Sequence, residues 1–168
     1  KYKRINAAGE GEVSEHIISA KAPNGSMEES GKDTEAGTAW GTVDNNPVSY
    51  HFHNTWDSGG YNPLHKDGGF IYEFDKAYEM EAFALQEASV QNVGYGYIQV
   101  RYWDEAGAEH ELGKVSIQAK ADSQGRTYYL VKLPEMFRVK KIQFGLARAV
   151  AVGNNTVSEV YFYHYDSL

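Results

Sequence analysis

The chain has no cysteine, only four prolines among 168 residues, and no excess of basic charge. The missing cysteine excludes a disulfide scaffold, a thiolate zinc site and a cysteine nucleophile. Sixteen Lys and Arg stand against twenty-three Asp and Glu, a net charge of −7. Nucleic acid is therefore not an expected partner, because phosphate binding needs a basic face. No apolar run reaches the roughly 18 residues of a membrane helix, so no membrane insertion is expected. Leucine is scarce and no long stretch keeps a helical period, which argues against a helical fold. A Gly-x-Ser-x-Gly elbow, a His-Glu-x-x-His pair and a phosphate-cradling glycine loop are missing too. Acidic residues are plentiful, yet no carboxylate pair stands in a setting that would raise one pKa and mark a glycosidase.

Aromatic residues and glycine are abundant. Thirteen Tyr, seven Phe and three Trp make 14% of the chain, with seventeen Gly. Tyr and Phe favour strands, and Gly favours the turns between them. Strand patterns run over 13–22, 50–54, 70–74, 80–85, 97–103, 115–119, 127–133, 139–146 and 157–165. Each is bounded by turn residues, which predicts an all-β antiparallel sandwich of jelly-roll type. At 168 residues the whole chain, 1–168, makes one domain with a sizeable core. The polar segment 23–38 reads as a long loop. In 80–85 strict alternation sets Met80, Ala82 and Ala84 on one face and Glu81, Phe83 and Leu85 on the other. Tyr72, Phe74, Tyr102, Phe144 and Phe162 sit in strand patterns and are assigned to packing.

Functional residues concentrate in 43–69, which gathers three His, two Tyr and one Trp among turn residues. Loops carried by a rigid sandwich are where binding residues collect. Trp56, Tyr61 and Trp40 lie in loop-like segments, where a ring can stack on the apolar face of a sugar while His, Asn, Arg or Asp bond its hydroxyls. Asp44 to Ser49 (DNNPVS) supplies hard oxygen donors of the kind calcium takes, or forms an Asx-turn ended by Pro47. His51 and His53 share one side of a strand. With Asp57 they could ligate zinc, iron or manganese in a cupin-like enzyme, although the second cupin motif is missing.

The segment Asp44 to Trp56, taken with the closing Ser158-Glu159-Val160-Tyr161-Phe162-Tyr163, resembles the discoidin or coagulation-factor C-type domains. These galactose-binding-domain-like folds include bacterial family 32 carbohydrate-binding modules, the nearest group. Their pattern runs Asp-Gly-Asn-x-x-Thr-x-(Phe/Trp)-His-Ser-x-Trp; here Asn45 replaces Gly, Ser49 replaces Thr, and one extra residue precedes His53. Gln86-Glu87 stands where the family has a Pro-Arg pair. The resemblance implies a jelly-roll sandwich with one structural calcium, held by Asp44, Asn46, Ser49 and Glu159. It implies a glycan site on loops at one end of the sandwich. His53, Trp56 and Tyr61 are the first candidates, with His65, Arg101 and Asn154 in the 153–155 loop beside them. The implied function is non-catalytic: a module that tethers a secreted or surface-bound bacterial protein to glycans, of galactose or N-acetylgalactosamine type or another host or plant polysaccharide. The chain, which starts at Lys1 without Met, is expected to be a monomeric unit of a longer multidomain polypeptide. A protein-binding or adhesion spacer of the same fold is the alternative, with the metal-dependent enzyme behind it.

Overall fold

The computed structural model describes residues 1–23, 25–29, 32–33, 37–46, 50–53, 69–87, 95–121, 127–148 and 155–167. Eleven strands are formed among them: β1 (Tyr2–Arg4), β2 (Ile17–Lys21), β3 (Gly25–Glu29), β4 (Lys32–Asp33), β5 (Tyr50–His53), β6 (Phe70–Gln86), β7 (Tyr95–Trp103), β8 (Glu109–Ala121), β9 (Thr127–Arg148), β10 (Asn155–Val157) and β11 (Glu159–Tyr165). Every pairing between them is antiparallel. A short 3-10 helix, Trp40–Thr42, precedes the Asp44 turn.

Three long strands build both layers of the sandwich. The first part of β6 pairs with β2 and with the second part of β9, which also carries β7. The last part of β6 pairs with β11 and with the first part of β9, which also carries the end of β8. Register breaks between Glu73 and Tyr78 and between Met80 and Ala82 let β6 turn from one layer into the other. The core lies between the layers. Phe83 and Phe162 reach the opposite layer, where Phe144 stacks against Phe70 and Tyr72. All five rings are fully buried. A separate four-stranded sheet runs β10-β5-β3-β4.

Several expectations change. The segment 23–38 is not one loop, because β3 and β4 form a hairpin within it and Thr38 bridges to Lys21. Segments 70–74 and 80–85 are one strand, as are 127–133 and 139–146, since bulges bend the strands without ending them. The bulge after Met80 also breaks the alternation. Met80, Phe83 and Leu85 are all buried, although strict period two separates Met80 from the other two. The strand expected over 13–22 begins only at Ile17, and Val13 is exposed. Trp40 packs partly buried against the core rather than standing in a loop. The turn before β6 needs Gly69. Its φ is +69°, and a Cβ there would meet the Phe144 carbonyl oxygen at 2.3 Å.

Candidate functional site

The turn after the 3-10 helix and the start of β11 meet at one end of the sandwich. Glu159 opens β11 opposite Gln86 at the end of β6, and its side chain is fully buried. Its Oε1 accepts the Asn46 backbone N–H at 2.9 Å, and its Oε2 accepts that of Asn45 at 3.2 Å. Asp44, also buried, accepts the same Asn46 N–H on Oδ1 at 2.9 Å. Burial, then the hydrogen bond and charge of Asp44, push the Glu159 carboxyl up to about 10. The two backbone N–H groups pull it back only in part. The reading that no carboxylate pair has a pKa-raising setting is thus corrected. The pair lies 115 positions apart in the sequence, and only the fold unites it.

Asn45 shapes this turn. Its φ is +57°, the left-handed region that suits glycine and that Asn tolerates best among residues with a side chain. That conformation accounts for Asn45 standing where the resembling pattern has Gly. The side chain adds two ties that glycine lacks. Its Oδ1 accepts from the Arg4 guanidinium at 2.8 Å, and its Nδ2 donates to the Ala8 carbonyl at 2.7 Å. Arg4 in turn sits 4.7 Å from the centre of the Tyr161 ring. Sequence reading missed Arg4. The strand that carries it, Tyr2–Arg4, precedes the first strand pattern read in the sequence, at 13–22.

A hard divalent cation fits this chemistry. Two buried carboxylates in contact repel when both are ionised, and a bound cation would neutralise both. Among the implied ligands, Asp44, Asn46 and Glu159 are brought together here, while Ser49 lies outside the described residues. No group of three or more His, Asp or Glu able to hold a metal occurs among the described residues.

The expected glycan residues divide. His53 lies at the end of β5, where its Cα partner is Asn155 on β10. The register therefore sets His53 beside the chain that follows Asn154. Trp56, Tyr61, His65, Asp57 and Asn154 itself lie outside the described residues, and of His51 and His53 only the backbone is described. Arg101 stands elsewhere, on the outer face of β7. The start of β7 is tied to β10 by a hydrogen bond from the Tyr95 hydroxyl to the Thr156 carbonyl. Arg101 lies six residues further on, about 20 Å along an extended strand. There its Nε is 2.8 Å from Glu109, a second guanidinium nitrogen is 3.5 Å from Glu111, and a third donates to Gln143 Oε1 at 3.1 Å. Gln86, at the Pro-Arg position of the resembling family, instead accepts from the Tyr161 hydroxyl at 3.1 Å.

No family model matches the chain and no curated protein matches its sequence. Solved structures do match. The family 32 module of C. perfringens NanJ, in complex with galactose, aligns with a TM-score of 0.54 at 13% identity, over 86% of this chain and 99% of that one. The third family 32 module of a family 31 glycoside hydrolase from Clostridium perfringens aligns with a TM-score of 0.56 at 14% identity, over 89% and 90%. The first module of a family 31 glycoside hydrolase from that organism gives 0.52 at 12% identity, over 85% and 96%. These chains share an architecture and little sequence, which locates the likeness in the sandwich itself. The chain has the discoidin-like, galactose-binding-domain fold of the family 32 carbohydrate-binding modules.

Proposed function

We propose that the chain is a non-catalytic carbohydrate-binding module that tethers a secreted or surface-bound bacterial protein to glycans, with a structural calcium bracing its loop end. The observation that carries this reading is the buried Asp44–Glu159 pair, joined through the Asn45 and Asn46 amides. On this reading a cation at the pair braces the segments that leave one end of the sandwich. The β5–β10 register supports the glycan half of the reading, since it sets His53 opposite Asn155. Trp56 and Tyr61 follow His53 in the chain and supply the stacking rings. A single such site binds weakly, and tethering within a larger protein raises its effective concentration. The galactose held by the NanJ module makes galactosides the first ligands to try. Among the described residues no helix is long and apolar enough to cross a membrane.

The test is a glycan array probed with calcium and again after chelation, using wild type and Trp56→Ala. Defined glycan hits that weaken on chelation and disappear in the variant are expected. Glycan binding unchanged in Trp56→Ala overturns the site. A blank array overturns the carbohydrate reading.

A further inference from the structure

The outer face of the first layer carries a groove of about 450 Å3, within the range of small-ligand sites. Its Trp103 end lies along β7 away from the loop end, while Pro23 on its rim precedes by two residues Gly25, the Cα partner of His53; strand register builds it. Ser19, Glu73, Lys141, Trp103 and Glu109 face one another in sequence across β2, β6, β9, β7 and β8. Lys21 and Arg101 lie two residues along, on the same face of their own strands. The alternate residues Tyr72, Ile142 and Tyr102 point into the core, so this row is the outward one.

The groove has an aromatic wall and an unequal charge balance. Trp103 is only half-buried, and the Lys141 ammonium lies 4.5 Å from its ring centre. Arg101, nearly buried, bonds Gln143 and lies against both Glu109 and Glu111, so this floor carries one net negative charge. Glu73 lies 3.8 Å from Lys140. Among the described residues neither Lys21 nor Lys141 has a carboxylate within ion-pair distance. Counted together among the described residues, Lys21, Arg101, Lys140 and Lys141 stand against Glu73, Glu109 and Glu111, which leaves one positive charge in excess beside an indole, on a chain of net charge −7. A ligand that satisfies both features has an apolar C–H face for the indole and an anionic group for the lysines. Its hydroxyls would bond Ser19, Glu73 and Glu109.

We infer that this groove is a second carbohydrate site, centred on Trp103 of the sheet face, and that it takes a glycan bearing a carboxylate, a uronate or sialate residue. Only the ligand class rests on the carbohydrate reading above; the site itself rests on the sheet face.

Titration calorimetry of the whole chain tests it, with trigalacturonate and 3′-sialyllactose as acidic probes and lactose as the neutral one. Wild type is expected to bind at least one acidic probe, more weakly as salt rises. Trp103→Ala is expected to weaken that binding by about tenfold or more. Lys21→Gln and Lys141→Gln, which leave the fold's apolar contacts alone, are expected to weaken it severalfold. Trp56→Ala is expected to leave it unchanged. Lactose binding without acidic binding overturns the groove and leaves the loop site standing. Acidic binding lost in Trp56→Ala and intact in Trp103→Ala and Lys141→Gln also overturns it. No binding of any probe by wild type overturns both readings.

Discussion

Asn46 donates its backbone N–H to Glu159 Oε1 at 2.9 Å, which clips the Asp44 turn to the first residue of the last long strand. That bond holds a carboxylate that burial and Asp44 keep protonated at neutral pH. A divalent cation replaces the shared proton in the proposed brace. In Glu159→Gln the side-chain size is kept and the charge is lost, so calcium has no second carboxylate to bind. Saturating calcium, about 100-fold above its Kd, would stabilise the wild type by about 2.7 kcal/mol. That is roughly 5–10 °C in Tm for a domain of this size. The variant is expected to show no calcium shift while melting near the chelated wild type. Thermal scans with calcium and with chelator read both, and equal calcium shifts in the two proteins would sink the assignment.

The same carboxyl sets a pH dependence. Its folded pKa lies near 10 against an ordinary 4.5. Below pH 4.5 both folded and unfolded forms carry the proton, and nothing is lost. As pH rises from 4.5 towards 10, the unfolded form releases the proton and the folded form keeps it, so stability falls. The chelated protein is therefore expected to be more stable near pH 5.5 than near pH 8.5. Calcium competes with that proton, so its stabilising effect is expected to grow over the same range. Urea midpoints at the two pH values, with and without calcium, measure this. A Glu159→Gln protein that keeps the full pH slope in chelator would assign the slope to other groups.

Asn45 separates backbone strain from side-chain bonding. Asn45→Gly relieves the left-handed φ of +57° and loses the bonds to Arg4 and Ala8. Asn45→Ala loses the same bonds and adds about 1–2 kcal/mol of left-handed strain. Each lost hydrogen bond is worth about 1 kcal/mol. Stability is expected to fall from wild type to Gly to Ala, read as urea midpoints at constant m-value. Ala matching Gly would show that the turn relaxes out of the left-handed region.

The fold class was legible because aromatic and β-branched residues alternate between turn residues, and that pattern follows from one buried face per strand. Phe144 and Phe162 were assignable to packing on this ground, and both are buried. Strand ends were less legible. A register break such as the one at Met80, where β6 advances two residues against five on β9, leaves composition unchanged, so period two cannot reveal it. Asp44 and Glu159 were paired only through the family resemblance, since spacing does not bring together residues at opposite ends of the chain. The Trp103 groove could not be read at all. Its row takes one residue from each of five strands, and only register defines it.

Phe144 is one of the rings on which the two layers meet. It lies 5.2 Å from Phe70 and 5.8 Å from Tyr72 in its own layer, and 5.2 Å from Phe83 in the other. Phe144→Ala would leave a cavity touching all three rings, and such deletions cost about 3–5 kcal/mol. Against a total stability of about 5–15 kcal/mol, the variant is expected to be folded but marginal. Phe144→Leu keeps most of the volume and is expected to lose considerably less. The loss would spread to the proposed calcium brace only through global unfolding, because the Glu159 contacts come from the 44–46 turn. Folded Phe144→Leu is therefore expected to keep the wild-type calcium shift in Tm while its urea midpoint falls. A calcium shift that vanishes in Phe144→Leu would mean that core packing, and not the local turn, sets the geometry of the carboxylate pair.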